Sequence, residues 1–277
     1  MDYVLQFVPI LWLTAIEALS LSVLAGRLDV ICMCQAAFVG VGAYVTAILT
    51  TRAHLSMMIG IPMAVLVGCV FGWFFGLVTA SLDKERLALA TLAFQLLFSS
   101  VVVNWTAVTS GPEGISGIPQ FAYPSFVLVA AMLAILLVTS FLLQRTLLGR
   151  IGDVMRESDS FAAACGFSTT AARSWHFAVG AGAASLGGAL FAHRSSYIDP
   201  GSFSLGESVF LLSAVLIGGD KGWRGVLGGV ALVTVIPEVL RFSPLQVLNG
   251  GQVRQVLYGV ALLVVLLAGP RGVQAHA

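Results

Sequence analysis

The chain has 277 residues, of which 58% are hydrophobic and only 10% are charged, and its formal net charge is +1. Ordinary soluble domains carry roughly 25% charged residues, and a soluble chain this apolar could not cover its surface with polar groups. The composition therefore excludes an ordinary soluble protein, and the near-neutral charge gives no indication of a nucleic-acid partner.

Charge-free stretches dominate the chain. Five of them, each at least 20 residues long, contain no Asp, Glu, Lys or Arg: 30–51, 53–82, 87–112, 114–144 and 174–193. A helix of about 20 apolar residues crosses a bilayer core, and a helix satisfies its own backbone hydrogen bonds where water is absent. The short alternating segments of a transmembrane barrel are not found. The sequence therefore predicts an all-α, polytopic transmembrane helical bundle.

The bundle is predicted to contain eight or nine membrane segments. In chain order, the apolar segments are 4–25, 30–50, 57–80, 87–107, 122–143, 174–192, 205–218, 226–240 and 254–269. The segment 205–218 would extend over only about 20 Å, less than a full crossing. It and 226–240 are therefore candidates for broken or re-entrant segments.

The distribution of Lys and Arg predicts the orientation, because these residues collect on the cytoplasmic side. With the N-terminus outside and alternating segments, ten basic residues fall inside: Arg27, Lys84, Arg86, Arg145, Arg150, Arg156, Arg173, Lys221, Arg224 and Arg271. Four fall outside: Arg52, Arg194, Arg241 and Arg254. We therefore expect the N-terminus outside. No basic region precedes the first apolar segment, so we expect no cleavable signal peptide.

Three connections differ in character. Residues 81–86 form a short charged turn on the cytoplasmic side, whereas 108–121 are rich in Gly and Pro and predict a rigid, irregular outer loop. Residues 144–173 form the longest polar stretch, and apolar residues recur there near helical spacing. This pattern predicts one or two short amphipathic helices, closed by Gly166 at the position after the helix end. By itself, such a stretch is also consistent with a solvated linker.

Polar side chains inside apolar segments are costly and need a reason. Glu17, Gln35, Gln95 and Asn104 are the clearest cases. They are candidates for lining a solute translocation path, and the alternative is that they form hydrogen bonds between helices. Small residues recur every fourth position at Gly68, Gly72 and Gly76, which predicts close helix packing with hinge or sliding motion as the functional alternative.

The sequence gives no indication of an enzyme. The four cysteines and four histidines lack metal-ligand spacing, so we expect no metal site and no catalytic residues. No Gly-Lys dipeptide occurs, and the phosphate-binding loop of ATPases is therefore absent from the sequence. Any ATP hydrolysis is expected in a separate chain.

Four blocks of the sequence, taken in order, resemble the LivM-type permeases of branched-chain amino acid ABC importers. The first block is 35–44 (Gln-Ala-Ala-Phe-Val-Gly-Val-Gly-Ala-Tyr), and the second is 88–94, followed by Asn104-Trp105 and the Gly- and Pro-rich 109–119. The third is 147–150 (Leu-Leu-Gly-Arg), followed by Arg156, Glu157, Ser158, Ala162, Ala163 and Gly166, and the fourth is Pro200, Phe203 and Gly218-Gly219. Together these blocks span about residues 26–230.

The resemblance implies a role for the polar stretch. In such transporters a cytoplasmic loop with Arg, two Ala and Gly docks into a cleft on the ATPase. By resemblance, the chain is one permease domain, 1–277, with a coupling segment at about 144–173. The residues implied in coupling are Arg150, Asp153, Arg156, Glu157, Ala162, Ala163 and Gly166.

The resemblance also implies partners and a solute. The partners are a second, LivH-like permease, two cytoplasmic ABC ATPase subunits that use the ATP, and a periplasmic or lipid-anchored solute-binding protein. Translocation of branched-chain or related amino acids across the inner membrane would proceed by alternating access, and this chain would bind no cofactor. A stand-alone secondary transporter or channel is the alternative, and urea or short amides are possible solutes in either case.

The sequence departs from the family pattern at two places. Cys32-Met33-Cys34 stands where the family usually reads Ser-Leu-Gly before Gln35. Residues 220–225 replace the Gly-Thr and Gly-Pro that tend to follow Gly218-Gly219. These departures bear on the identity of the solute and on the local geometry, and not on the coupling segment.

Overall fold

The structure, a computed structural model, describes residues 2–28, 30–120, 146–219 and 223–241. Its helices are α1 Asp2–Leu28, α2 Gln35–Thr51, α3 Met57–Val78, α4 Lys84–Asn104, α5 Thr106–Thr109, α6 Leu147–Glu157, α7 Asp159–Ala164, α8 Thr169–Ser195, α9 Leu205–Gly218 and α10 Trp223–Arg241. The strands β1 Ile115–Ser116 and β2 Tyr197–Ile198 pair antiparallel, and single 3-10 turns cover Gly111–Glu113 and Pro200–Phe203. The predicted segments 122–143 and 254–269 lie outside the described residues.

The described residues confirm a helical membrane architecture. Four of their helices are long and apolar enough to cross a bilayer: the stretch Val8–Gly26 of α1, and α3, α4 and α8. Shorter apolar helices are α2, α9 and the Trp223–Val235 part of α10. The predicted bounds 205–218 coincide with α9.

The prediction of a helix beginning at residue 30 is wrong, because α2 begins only at Gln35. Residues 30–34 are not helical, and the Met33 amide donates to the Thr91 hydroxyl of α4 at 3.1 Å. A helix start leaves amides without helical partners. Side chains of other helices fill that role here: the Ala36 amide donates to the Ser208 hydroxyl at 2.9 Å and the Ala37 amide to the Gln95 carbonyl oxygen at 2.8 Å.

The bundle has two ends that differ in their contacts. At the first, called the Arg173 end, Arg173 donates to the carbonyl oxygens of Thr79, Ala80 and Leu82 after α3. At the other, called the β-pair end, β1 pairs with β2. The loop before α3 contacts α5 at this end as well, where Arg52 donates to the Ala107 carbonyl at 2.6 Å.

Helix α8 is central and packs against α1, α2 and α3. The predicted close packing of Gly68, Gly72 and Gly76 is confirmed, because a Cβ on any of them would collide with α8. At Gly76 the added atom would lie 2.6 Å from the Ser174 Cα, which is backbone and cannot rotate away. These glycines, with Gly60 and Ala64, are the buried residues of α3, and most of its larger side chains are exposed, although Phe75 packs against the core.

Candidate functional site

The polar stretch 146–168 folds into two short helices, as predicted. Thr146 caps α6 by accepting from the Gly149 amide at 3.4 Å, and Ser158 caps α7 by accepting from the Phe161 amide at 3.2 Å. Gly166 has φ +84°, and its amide donates to the Ala163 carbonyl at 2.9 Å. This left-handed residue ends α7 in the manner predicted for Gly166.

Arg173 fastens this stretch to the membrane helices. Its guanidinium is buried, with a side-chain exposure of 4%, and pairs with the Asp159 carboxylate of α7 at 2.8 Å. The same guanidinium donates to the carbonyl oxygen of Leu82 at 2.7 Å. One side chain on α8 therefore connects α7 to the end of α3. Sequence reasoning assigned Arg173 only to the basic inner side. The position of Arg173 at the start of an apolar segment was the one sequence signal for such a role. Its partners could not be identified from the sequence, because Leu82 is 91 positions away.

A second connection runs through α6. The Lys84 ammonium of α4 donates to the Arg156 carbonyl at 3.0 Å, and the Arg156 guanidinium donates to the Gly26 carbonyl of α1 at 3.4 Å. Met155 is buried in the core with an exposure of 1%. The stretch is therefore anchored on α1, α4 and α8 and is not a loosely attached linker.

The rest of the stretch presents an exposed surface. Arg150, Asp153, Ala163 and Gly166 are exposed, whereas Ala162 is buried. Glu157 is the last residue of α6. Phe161, which the helical spacing placed with the apolar residues of this stretch, is 56% exposed. A large exposed aromatic group beside small residues is typical of protein contact surfaces.

A cavity of about 560 Å³ lies between α1, α2, α8, α9 and α10, away from the Arg173 end. Its apolar lining comprises Ile10, Leu13, Ala36, Val39, Phe191, Phe203 and Phe210. Its polar lining comprises Thr14, Glu17, Arg194, Ser195, Ser202, Glu207 and Thr234. This volume and the mainly apolar wall fall within the range of small-molecule sites.

The structure places the four path candidates differently. Glu17 lines the cavity. Gln35 and Gln95 are fully buried and hydrogen-bonded between segments: Gln35 donates to the Glu17 carbonyl at 3.0 Å, and Gln95 donates to the Phe203 carbonyl at 2.9 Å. Asn104 is exposed and donates to the Ser100 carbonyl of its own helix at 2.8 Å. That these four residues line the solute translocation path stays a prediction.

Sequence reasoning missed Arg194 and Glu207, which line the same cavity. Glu207 stands in the first turn of α9, and Arg194 in the last turn of α8. Both residues lie at helix ends, where charged residues are common, so the sequence alone does not mark them. The packing of α1 against α8 and α9 places them in the lining of the cavity that contains Glu17.

Comparison with known proteins agrees with this architecture. The family described as "Branched-chain amino acid transport system / permease component" matches residues 3–266. The branched-chain amino acid permease protein LivM of Salmonella typhimurium is 27% identical over 93% of this chain, and that of Escherichia coli is 26% identical over 93%. The chain spans 66% of the length of each of these LivM proteins.

A more distant likeness concerns another import system. The autoinducer 2 import permease LsrC of Salmonella typhi is 28% identical over 68% of this chain and 53% of its own length. No solved structure matches the chain significantly. The family match covers nearly the whole chain, in agreement with the apolar helices and the anchored polar stretch. The chain therefore belongs to the family of permease components of branched-chain amino acid transport systems.

Proposed function

We propose that the chain is a membrane-spanning permease subunit of an ABC importer for branched-chain or related amino acids. In this proposal the whole chain, 1–277, is one permease domain in the inner membrane with eight or nine segments, of which 205–218 and 226–240 are the candidates for broken or re-entrant ones. As a permease component it is not itself an enzyme, it binds no cofactor, and ATP is used by two partner ATPase subunits. The name of LsrC, an import permease, supports import as the direction.

The observation that carries the proposal is the anchored surface of 146–168. Arg150, Asp153, Ala163 and Gly166 face outward, while Arg173 and Arg156 hold the segment on α8 and α1. A partner that pushed on α7 would move Asp159 and thus the guanidinium at the start of α8. Coupling of this kind needs a rigid element that transmits displacement, and the ion pair between Arg173 and Asp159 supplies one.

The remaining parts of the proposal follow from this surface. The Arg173 end faces the cytoplasm and the ATPases, and the N-terminus lies outside. The β-pair end faces the solute-binding protein, and a second, LivH-like permease completes the channel. Glu17 lies on the path for the solute, which moves by alternating access.

The test compares two exposed alanines at opposite ends of the bundle. Ala163 lies on α7, and Ala53 lies at the β-pair end, between α2 and α3. We expect A163W to reduce recovery of the ATPase subunits with the purified permease at least about tenfold, because a bulky group blocks close docking. We expect A53W, the matched control, to leave that recovery unchanged.

Two outcomes would contradict the proposal. Wild-type recovery of the ATPases with A163W would remove the coupling role from 146–168. Solute uptake into liposomes by this chain alone, without ATPase or ATP, would make it a stand-alone transporter.

A further inference from the structure

Two cysteine thiols are in direct contact just before α2. Residues 30–34 are not helical, and within them the Sγ atoms of Cys32 and Cys34 are 3.4 Å apart. Both cysteines are fully buried in the hydrophobic core. A single buried thiol behaves as a small apolar side chain. A pair in contact differs from a single thiol, because oxidation can join the two sulfur atoms.

The local backbone allows this contact and a closer approach. Residues two positions apart do not face each other in a helix, so the contact depends on α2 beginning only at Gln35. A disulfide bond is about 2.05 Å long, and the two Sγ atoms must therefore approach by about 1.4 Å from their observed separation of 3.4 Å. Rotation of the two side chains about χ1 supplies a displacement of this size.

The residue between the two cysteines connects this segment to α4. The Met33 amide donates to the Thr91 hydroxyl at 3.1 Å, and that hydroxyl donates to the Ala88 carbonyl at 2.7 Å. A bond between residues 32 and 34 closes a ring that contains the main chain of Met33. We therefore expect ring closure to turn the Met33 amide away from its acceptor on α4.

A small oxidant has a short route to the pair in the described part of the chain. The side chain of Ile31 is 51% exposed, and Met33 is half-buried. The buried thiols therefore alternate along the chain with residues that reach the surface. A short segment without helical hydrogen bonds also opens locally at low cost, and hydrogen peroxide is small and uncharged.

We propose that Cys32 and Cys34 are a modification site at which hydrogen peroxide forms an intrachain disulfide that releases Met33 from Thr91. The sulfur of one cysteine attacks a peroxide oxygen, the O–O bond breaks, and a sulfenic acid and water form. The sulfur of the other cysteine attacks the sulfenic sulfur, so the S–S bond forms, the S–O bond breaks and a second water leaves. The thiols lose two electrons and two protons, which the peroxide takes up. This inference goes beyond the proposed transport function and does not depend on it.

The first arm of the test treats the purified full-length chain in detergent with hydrogen peroxide. The remaining thiols are then alkylated in denaturant, and the peptides are mapped by mass spectrometry. We expect the peptide containing Cys32 and Cys34 to become two hydrogen atoms lighter and its doubly alkylated form to decrease at least about tenfold. Reduction with dithiothreitol should reverse both changes. C32S and C34S should form no such bridge, whereas C165S, the matched control at an exposed thiol, should form it as the wild type does.

The second arm measures hydrogen exchange at the Met33 amide in the reduced and oxidised chains. We expect oxidation to accelerate this exchange at least about tenfold, because the amide loses its acceptor on α4. T91V removes that acceptor without oxidation and shows how fast the released amide exchanges. Peroxide should leave the exchange at Met33 unchanged in C34S, which cannot form the bridge.

The exposed thiol of Cys165 reports whether the oxidant acts, and the peroxide dose is raised until this thiol is oxidised in the wild type. Full alkylation of Cys32 and Cys34 at that dose would overturn the proposal. Conversion of either thiol to a sulfinic acid without a bridge would overturn it as well, since the neighbouring thiol would then not capture the sulfenic acid. Unchanged exchange at Met33 in the bridged chain would refute the release from Thr91.

Discussion

The two ends of the bundle use buried charge in opposite ways. At the Arg173 end, the guanidinium donates to three backbone carbonyls and to the Asp159 carboxylate. In the cavity toward the β-pair end, the Glu17 carboxylate has no donor among the described residues. A charge that is paired with groups of other helices fixes the arrangement of those helices, whereas a buried carboxyl group without a donor among the described residues does not. The first region therefore holds α7 on the membrane helices, whereas the second is a cavity with a mainly apolar wall.

The largest loss of stability is expected from removing the buried guanidinium of Arg173. R173M should lower the free energy of unfolding by about 3 kcal/mol, because it abolishes charge-assisted hydrogen bonds and leaves Asp159 unpaired. It should also reduce solute-stimulated ATPase activity in the complex. R86M is the matched control, since the Arg86 pair with Asp83 is exposed and 3.7 Å apart, and such pairs contribute little. Thermal unfolding in detergent checks both, and equal stability of the two variants would refute the special role of Arg173.

A smaller loss is expected between the two ends, at Gln95. Q95L is close in size but removes an acceptor for the Ala37 amide and the Ser208 hydroxyl and a donor to the Phe203 carbonyl. Leaving these groups unsatisfied should cost about 2 kcal/mol. Thermal unfolding measures the loss. S208A removes a smaller group, with an acceptor for the Ala36 amide and one donor to Gln95, and should cost clearly less. The reverse ranking would contradict the assignment of Gln95 as the centre of this network.

The next loss of stability is expected from disturbing the contact between α3 and α8 at the Arg173 end. G76A adds a Cβ that would lie 2.6 Å from the Ser174 Cα, so α3 must shift away from α8 next to Arg173. We expect a loss of about 1–3 kcal/mol. The control is G228A in α10, where an added Cβ meets no described residue within 4 Å and where replacing a helical Gly should be neutral or stabilising. A stable G76A variant with normal ATPase stimulation would show that this contact is not needed.

The smallest effect is expected from the cap of α7. S158A removes the acceptor for the Phe161 amide and should cost about 1 kcal/mol, confined to the exposed segment. Hydrogen exchange at Phe161 should accelerate, while S168A, which removes the cap of α8 at Ala171, should leave that amide unaffected. Unchanged exchange in S158A would mean that α7 does not depend on this cap.

Much of the molecule could be predicted from the sequence by itself. The charge-free stretches predicted the helical membrane bundle. This prediction needs no knowledge of the tertiary structure, because a charged side chain in lipid is costly wherever it lies in the chain. The short helices in 144–173, the left-handed Gly166 and the bounds of α9 also follow from patterns within a few residues of one another. The four-residue spacing of Gly68, Gly72 and Gly76 predicted close packing against another helix. It did not identify that helix as α8.

Only the tertiary structure decided which polar groups are satisfied. Arg173 and Asp159 are fourteen positions apart, and Arg173 and Leu82 are ninety-one apart, so no local pattern relates them. Gln95 and Glu17 looked alike in sequence as polar residues in apolar helices. Packing gave Gln95 three partners and placed Glu17 in a cavity that Glu207 also lines. The sequence determined that these residues lie in the membrane, but whether each finds a partner there depends on helices brought together from distant parts of the chain.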